Sequence, residues 1–290
     1  MSIWRLIHTL PSTGTWNMAV DEAILEHIYR GESKPTLRLY AWNPPCLSLG
    51  HAQSFKDVDA QRLKSHGWDV VRRVTGGRAI LHTDEITYSV TGNAEDEILS
   101  GGVMEAYNRL SKALLYAVQS LSLPVQVKEG SRYALRKEQD RSGLLDQRNV
   151  NPICFEVPSS YEITVDGKKL IGSAQARKKE GVLQHGSLPL TGDLTRICDA
   201  LVFEDESARQ EAKDRLLARA TTVSTVLNTS VESALGVNVS WETAANALKQ
   251  GFEKELGIEF ENGDLSQSEL QRAEELVKEK YGNDIWTKRT

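Results

Sequence analysis

A two-residue turn at Asp166–Gly167 is the strongest local constraint on how this chain folds. Ahead of the turn, apolar and polar residues alternate over residues 160–165, as in a strand with one buried face. Asp-Gly closes a β-hairpin, because both positions tolerate the positive φ angles that a tight hairpin turn requires. Thr164 then pairs with Lys169, so the side chain of Lys169 is expected on the open, polar face of the hairpin.

Strand-like and helix-like patterns are interspersed along the rest of the chain, without a regular β-α alternation. This arrangement predicts an α+β (mixed α/β) fold. Its 290 residues allow one large domain or two modest ones. We predict strands over WRLIHTL, TLRLYAW, CLSLG, DVVRRV, AILH and ITYSVTG, and helices from an N-cap at Thr15 and over DVDAQRLKSHG, 102–121, 204–219, 240–255 and 267–280.

The composition excludes several classes of protein. The net charge of −5, with scattered basic residues, argues against a nucleic-acid binder. No stretch approaches about 18 uninterrupted apolar residues, and no signal peptide begins the sequence, so we expect a cytoplasmic protein that does not span a membrane. Three cysteines without a C-x-x-C pair favour neither a disulfide framework nor a zinc site.

Residues 128–150 differ in character from the segments on either side. They are rich in charge and show little periodicity. Loops of this length inside a compact domain are uncommon and are often functional. We therefore interpret the segment as a long mobile loop.

The segment RRVTGGRAILH is the most distinctive motif of the chain. Adjacent glycines at Gly76 and Gly77 allow a ligand close to the backbone N–H groups, and Arg72, Arg73 and Arg78 add positive charge for a phosphate or a carboxylate. The motif lacks the spacing of a Walker loop or a dinucleotide-binding loop. A surface hairpin turn with exposed arginines is the alternative interpretation.

Cys154 stands out among the cysteines because a second chain reversal is predicted around Ser159. That reversal places Cys154 beside Thr164, and therefore on the same face as Lys169 across one strand. A nearby ammonium lowers the pKa of a thiol from about 8.5 and raises its thiolate fraction at neutral pH, which makes a nucleophile. Burial as an inert side chain is the alternative for any cysteine, and it is the one we expect for Cys46 and Cys198.

Two histidines lie near these motifs, His82 and His185. Their ordinary pKa allows proton transfer near neutral pH. Each is either a catalytic group or a hydrogen-bonded structural residue, and the sequence leaves both readings open.

Two segments of the chain resemble the sequence signatures of a known superfamily. RRVTGGRAILHTDEITYSV and GKKLIGSAQARKKEGVLQHGSL are similar to the two signatures of the biotin/lipoate protein ligases. The resemblance implies a mixed sheet flanked by helices, like the class II aminoacyl-tRNA synthetase catalytic domain. It implies one catalytic domain over residues 1–290, with a helical C-terminal extension from about 195 and no separate accessory domain. It also implies substrate-binding roles for Arg72, Arg73, Gly76, Gly77, His82, Gly172, Ser173 and His185.

The segment NPICFEVPSSYEI resembles the octanoyltransferases of the LipM type. That resemblance implies transfer of octanoyl from octanoyl-acyl-carrier protein to a lysine of the glycine cleavage H protein or another lipoyl domain, with neither cofactor nor metal. Cys154 would form the acyl thioester and Lys169 would lower its pKa, with Lys168 as the nearest competitor. An ATP-dependent lipoate ligase, an octanoyl-H-protein amidotransferase and a non-enzymatic lipoyl-domain-binding protein are the alternatives.

Overall fold

The computed structural model describes residues 2–128, 153, 162–229 and 239–289, and it confirms the predicted α+β class. The loop predicted over 128–150 lies outside the described residues from position 129 onward.

The strands are β1 (Ser2–His8), β2 (Thr36–Tyr40), β3 (Cys46–Leu49), β4 (Asp69–Arg72), β5 (Ile80–His82), β6 (Glu85–Gly92), β7 (Gln126–Lys128), β8 (Glu162–Val165), β9 (Lys168–Lys169), β10 (Gly172–Lys178), β11 (Gly181–Pro189) and β12 (Ile258–Asn262). The helices are α1 (Gly14–Tyr29), α2 (Ala60–His66), α3 (Val103–Ser120), α4 (Glu206–Arg219), α5 (Val223–Thr229), α6 (Trp241–Leu256), α7 (Gln267–Leu276) and α8 (Asp284–Thr287). None of these described helices is long and apolar enough to cross a membrane.

A six-stranded mixed sheet in the order β10-β11-β6-β2-β1-β12 forms the centre of the fold. β1 runs parallel to both β2 and β12, whereas β6, β10 and β11 join by antiparallel pairing. Apolar residues on one face pack against α3 and α6, and those on the other face pack against α1 and α7. Both faces are therefore covered by helices.

A smaller sheet in the order β4-β3-β5 packs beside the main one. Its apolar residues form a third cluster with α4 and with the 3-10 segment Leu194–Ala200. Ile153 belongs to this cluster and pairs as an isolated parallel bridge with Ala79, just before β5. The small sheet thus holds both the glycine motif and the residue that precedes Cys154 in the sequence.

The hairpin at Asp166–Gly167 has the predicted register. Thr164 pairs with Lys169, and both turn residues have positive φ angles, 50° and 77°. The face predicted to be open is covered, however, because Lys169 is only 5% exposed and its backbone also bridges Ala220 at the end of α4. Thr164, on the same face, is 3% exposed, so this face of the hairpin is buried rather than open.

The predicted pairing of Cys154 with Thr164 is wrong. Gln126 of β7 lies opposite Thr164 on that side, and β8 is thus the middle strand of the β7-β8-β9 sheet. The sequence pattern favoured a partner strand for β8 among the residues just before it. The partner instead comes from the far side of the 129–152 segment. Cys154 and the reversal around Ser159 lie outside the described residues.

Two further differences concern helix ends and the C-terminal region. The N-cap of α1 is Thr13 rather than Thr15, because Thr13 has an extended backbone and its hydroxyl accepts a hydrogen bond from the Trp16 N–H at 3.3 Å. The region after residue 195, predicted to be helical, also contributes β12 to the edge of the main sheet. α2 ends at Gly67 in the left-handed conformation, as its sequence predicts.

Candidate active site

A narrow cavity lies beneath the Gly76–Gly77 turn, between the small sheet and the main sheet. About 40 Å³ of it admits the centre of a water molecule, which is room for about three waters. We call it the inner cavity. It is lined by Met18, Tyr40, Trp42, Ser48, Arg73, Gly77, Ile80, His82, Thr87, Gly172–Ala174 and His185–Ser187. Six of the ten predicted site residues are therefore brought together: Arg73, Gly77, His82, Gly172, Ser173 and His185.

Arg73 organises the turn above this cavity. Its guanidinium donates hydrogen bonds to the carbonyl oxygens of Gly76 and Arg78, at 2.9 and 2.8 Å. It also donates to the hydroxyl oxygens of Ser48 and Thr75, at 3.1 and 3.2 Å. The side chain is 3% exposed, so these bonds are made away from bulk water and fix the shape of the turn.

The Ser48 hydroxyl begins one chain of hydrogen bonds that ends on Glu85. Ser48 Oγ lies 2.8 Å from His82 Nε2, and His82 Nδ1 lies 2.6 Å from Glu85 Oε1. The carboxylate accepts from Nδ1–H. Despite its burial, Glu85 has a pKa below the usual value, because His82 and the hydroxyls of Ser187 and Thr87 offset the desolvation.

The Thr75 hydroxyl begins a second chain that ends on Asp21. Thr75 Oγ1 lies 2.6 Å from His185 Nε2, and His185 Nδ1 faces Asp21 Oδ2 at 3.6 Å. Burial lowers the pKa of His185, although Asp21 acts in the opposite direction, and the neutral ring is favoured. Asp21 is itself paired with the buried Arg38 at 2.8 Å, and this pair helps to hold the pKa of the carboxyl below its ordinary value.

Both chains thus start at one guanidinium and end at a buried carboxylate. In each, a hydroxyl and a histidine ring carry the hydrogen bond between the two charges. We name this set, Arg73, Ser48, His82, Glu85, Thr75, His185 and Asp21, the inner wall. It fixes the shape of the inner cavity while every charge in it has a partner.

Arg72 does not line the inner cavity. Its guanidinium is fully buried and faces the other way, into a nest of backbone carbonyl oxygens. These acceptors come from two distant segments of the chain: Gly50, His51, Gln53, Trp286, Thr287 and Arg289. Arg72 therefore ties the C-terminal segment to the loop after β3, and the substrate-binding role implied for it stays a prediction.

The two glycines of the turn differ. Gly77 has a φ of +90°, and an added Cβ would lie 3.0 Å from Arg73 Nη2. Gly76 has open space around the position of a Cβ and does not border the inner cavity. The conformation of the turn therefore requires glycine at position 77 only.

Gly172 and Ser173 open strand β10 at the opposite side of the inner cavity. The Ser173 hydroxyl lies 2.7 Å from the Tyr88 hydroxyl, which also accepts a hydrogen bond from Gln184. Gly186 faces them from β11, and a Cβ there would collide with the Gly172 carbonyl at 2.6 Å. Small residues thus keep this side of the cavity open.

Lys169 lies outside the inner cavity lining, three residues before Gly172. Cys154 is outside the described residues, but its neighbour Ile153 is 1% exposed and contacts the cavity beside the inner one. Ile80 lines both of these cavities. The two remaining cysteines are fully buried, as predicted, and burial raises the pKa of the Cys46 thiol well above its usual value.

Sequence reasoning missed the carboxylates of the inner wall. Asp21 sits in the apolar helix WNMAVDEAILEHIY, where a charged residue on a buried face needs a partner. The sequence therefore indicated that Asp21 is paired with another polar group in the folded protein. Nothing in the sequence, by contrast, indicated that Glu85 and Asp21 would each orient a histidine.

The chain matches the model of the lipoyl protein ligase A/B catalytic domain over residues 13–253. It belongs to this family. Curated family members that it resembles include the octanoyltransferase LipM of Symbiobacterium thermophilum, 39% identical over 99% of this chain and 98% of the relative. The octanoyltransferase LipM of Kyrpidia tusciae is 38% identical over the full length of both chains.

Solved structures of lipoyl protein ligase A/B proteins share the fold. A bipartite lipoate protein ligase from Thermoplasma acidophilum superposes with a TM-score of 0.75 at 23% identity, over 99% of this chain and 97% of that one. Lipoate-protein ligase A bound with ATP superposes with a TM-score of 0.71 at 23% identity, over 99% of each chain. The predicted superfamily and its mixed sheet flanked by helices are confirmed.

Proposed function

We propose that this chain is an octanoyltransferase of protein lipoylation. It takes octanoyl from octanoyl-acyl-carrier protein and transfers it to a lysine of a lipoyl domain, such as the glycine cleavage H protein. One observation carries the assignment: relatives named octanoyltransferase LipM are 34–39% identical to this chain over nearly its whole length.

The proposed mechanism has two acyl transfers. The Cys154 thiolate attacks the thioester carbonyl of the donor, the bond to the pantetheine sulfur breaks, and that sulfur leaves as a thiol after it gains a proton. The lysine amine of the acceptor then attacks the new thioester. An amide forms, the amine loses a proton, and Cys154 regains its thiol. Both steps start from an activated acyl group, so the proposal requires no nucleotide.

The position of Ile153 supports this role for Cys154. Ile153 bridges Ala79 at the end of the glycine motif, beside the small sheet that carries the Gly76–Gly77 turn. In the sequence, Ile153 directly precedes Cys154. The inner cavity would receive the start of the acyl chain, with the flexible Met18 moving to admit the rest.

The surroundings of Lys169 support its proposed role beside the thiol. Lys169 bridges Ala220, and Ala220 packs in the same apolar cluster as Ile153. We expect Lys169→Met to raise the pKa of the Cys154 thiol towards about 8.5, measured as the pH dependence of its alkylation. Lys168→Met, on the neighbouring position, is the control. Equal shifts in the two variants would contradict the assignment to Lys169.

We further propose that the chain forms one catalytic domain. The C-terminal elements support this, because β12 pairs with β1 and α6 packs against α3 in the main core. Limited proteolysis with mass spectrometry tests the point: a separately stable C-terminal fragment would contradict it.

The central experiment incubates the purified protein with octanoyl-acyl-carrier protein and measures its intact mass. We expect the addition of one octanoyl group, its removal by hydroxylamine, and its loss in Cys154→Ala. Cys198→Ala, at a fully buried cysteine, is the matched control and is expected to keep the adduct. Full transfer to the acceptor by Cys154→Ala would exclude the thioester mechanism.

The alternatives give different products in the same assay. An ATP-dependent ligase would join free octanoate or lipoate to the acceptor and release pyrophosphate. An amidotransferase would take octanoyl from H protein and not from the carrier protein. A binding protein would bind the lipoyl domain without any acyl transfer.

A further inference from the structure

A second, open cleft lies on the outer side of the Gly76–Gly77 turn. Its volume is about 520 Å³, and Gly77 borders both this cleft and the inner cavity. We call it the outer cleft. It is lined by His51–Gln53, Val74, Gly76–Arg78 and Gln175–Lys178.

The lining of the outer cleft is basic. Arg78 and Lys178 lie in its lining, and no acidic residue is found among the described residues that line it. Arg177 also borders it, but its guanidinium donates to the carbonyl oxygens of Leu99 and Gly102, near the start of α3. Two more cations, Lys280 and Arg289, lie behind His51, against the ring of Trp286. Burial and four neighbouring cations, Arg289, Lys178, Arg72 and Lys280, lower the pKa of His51, as expected in a positive field.

Carboxylates near the cleft are committed elsewhere. Glu22 accepts from Lys178 at 3.2 Å but is held more closely by Lys280 and Tyr281, each at 2.6 Å. Glu105, which faces Arg177, caps the start of α3 through the Gly102 N–H. The cleft therefore keeps an excess of positive charge that favours an anionic ligand.

Strand β10 offers polar groups to the same cleft. β10 is an edge strand: within the described ranges it pairs only with β11. Alternate N–H and C=O groups of an edge strand point outward, where an extended ligand with amides can pair with them.

A phosphopantetheine arm combines these features, since it has a phosphate at one end, two amides along its length and the acyl thioester at the other end. From Lys178 to Ser173, β10 spans roughly 17 Å, which is similar to the reach of such an arm. A phosphate near Lys178 would thus bring the thioester to Ser173 and Gly77, at the border of the inner cavity.

We propose that the outer cleft binds the phosphopantetheine arm of the acyl donor, with its phosphate between Arg78 and Lys178 and its amides along the free edge of β10. This proposal rests on the proposed octanoyltransferase function. It assigns donor recognition to the prosthetic group itself. The phosphate then distinguishes a carrier-bound thioester from other acyl thioesters.

The test compares octanoyl-phosphopantetheine with octanoyl-pantetheine, which lacks the phosphate, and measures kcat/KM for octanoyl transfer to a lipoyl domain. Wild type is expected to prefer the phosphorylated donor about tenfold, the size of one hydrogen bond to a charged group. Lys178→Gln and Arg78→Gln are each expected to reduce that preference severalfold. Lys179→Gln, on the exposed hairpin turn next to Lys178, is the matched control and is expected to keep it.

The measured quantity is a ratio within one protein, so a general loss of folded enzyme cancels from it. An equal rate with both donors in wild type, or an unchanged preference in both cleft variants, would overturn the proposal. Competition by ATP together with ligation of free octanoate would also overturn it and assign the cleft to a nucleotide. Absence of transfer from every donor, including intact octanoyl-acyl-carrier protein, would instead refute the octanoyltransferase function.

Discussion

The two sides of the Gly76–Gly77 turn use charge in opposite ways. Behind the turn, Arg73, Asp21 and Glu85 are buried, and each charge is held by partners inside the protein. In front of it, Arg78 and Lys178 border an open cleft with no acidic residue in its described lining. Paired, buried charge gives a fixed shape without attracting ions, whereas exposed charge of one sign attracts them. One turn can therefore separate a site for a neutral acyl group from a site for an anion.

The largest expected effect is a loss of stability on the inner side. Asp21→Asn removes the carboxylate that faces the fully buried Arg38, and an unpaired buried charge costs about 3–5 kcal/mol. We expect the free energy of unfolding, measured in urea, to fall by that amount. The matched change on the outer side, Lys178→Gln, is expected to cost about 0.5 kcal/mol or less. Similar losses in both variants would remove the contrast between the two sides.

A smaller effect is expected at the turn itself. Gly77→Ala places a Cβ in a left-handed backbone conformation and against Arg73, so we expect a loss of about 1–2 kcal/mol in stability and slower acylation of Cys154. Gly76→Ala meets no atom within 4 Å and is the control, with an expected change of about 0.5 kcal/mol or less. If both variants behave alike, the strain assigned to position 77 is absent.

The smallest expected effect is a pH dependence from His185. Its pKa in the folded protein is lowered, chiefly by burial, so the unfolded chain, with a pKa of about 6.5, binds the proton first. The stability from this group is complete above about pH 6.5 and is lost as the pH falls through the folded pKa. The slope is at most about 1.4 kcal/mol per pH unit. Urea unfolding between pH 5 and 8 is expected to show this slope in wild type and a reduced one in His185→Asn.

Local patterns predicted the fold well, and distant contacts limited the prediction of the site. The Asp166–Gly167 turn fixed the register of Thr164 with Lys169 because turn chemistry acts over neighbouring residues. The other partner of Thr164, Gln126, could not be found in this way, since it lies beyond a long intervening segment. Arg72 and Arg73 could not be told apart either. Successive residues of a strand face opposite sides, and composition does not reveal which side carries the cavity.

The pairing of β1 with β12 has a consequence for synthesis on the ribosome. Ser2 pairs with Ile258, and Arg5 binds the Glu269 carboxylate at 2.6 Å. β1 is therefore synthesised first, whereas its partners, β12 and Glu269, are synthesised near the end of the chain. Until then one edge of β1 is unpaired, and unpaired strand edges invite association with other chains. A nascent chain that stalls before residue 258 is therefore expected to depend on chaperones far more than the finished protein does.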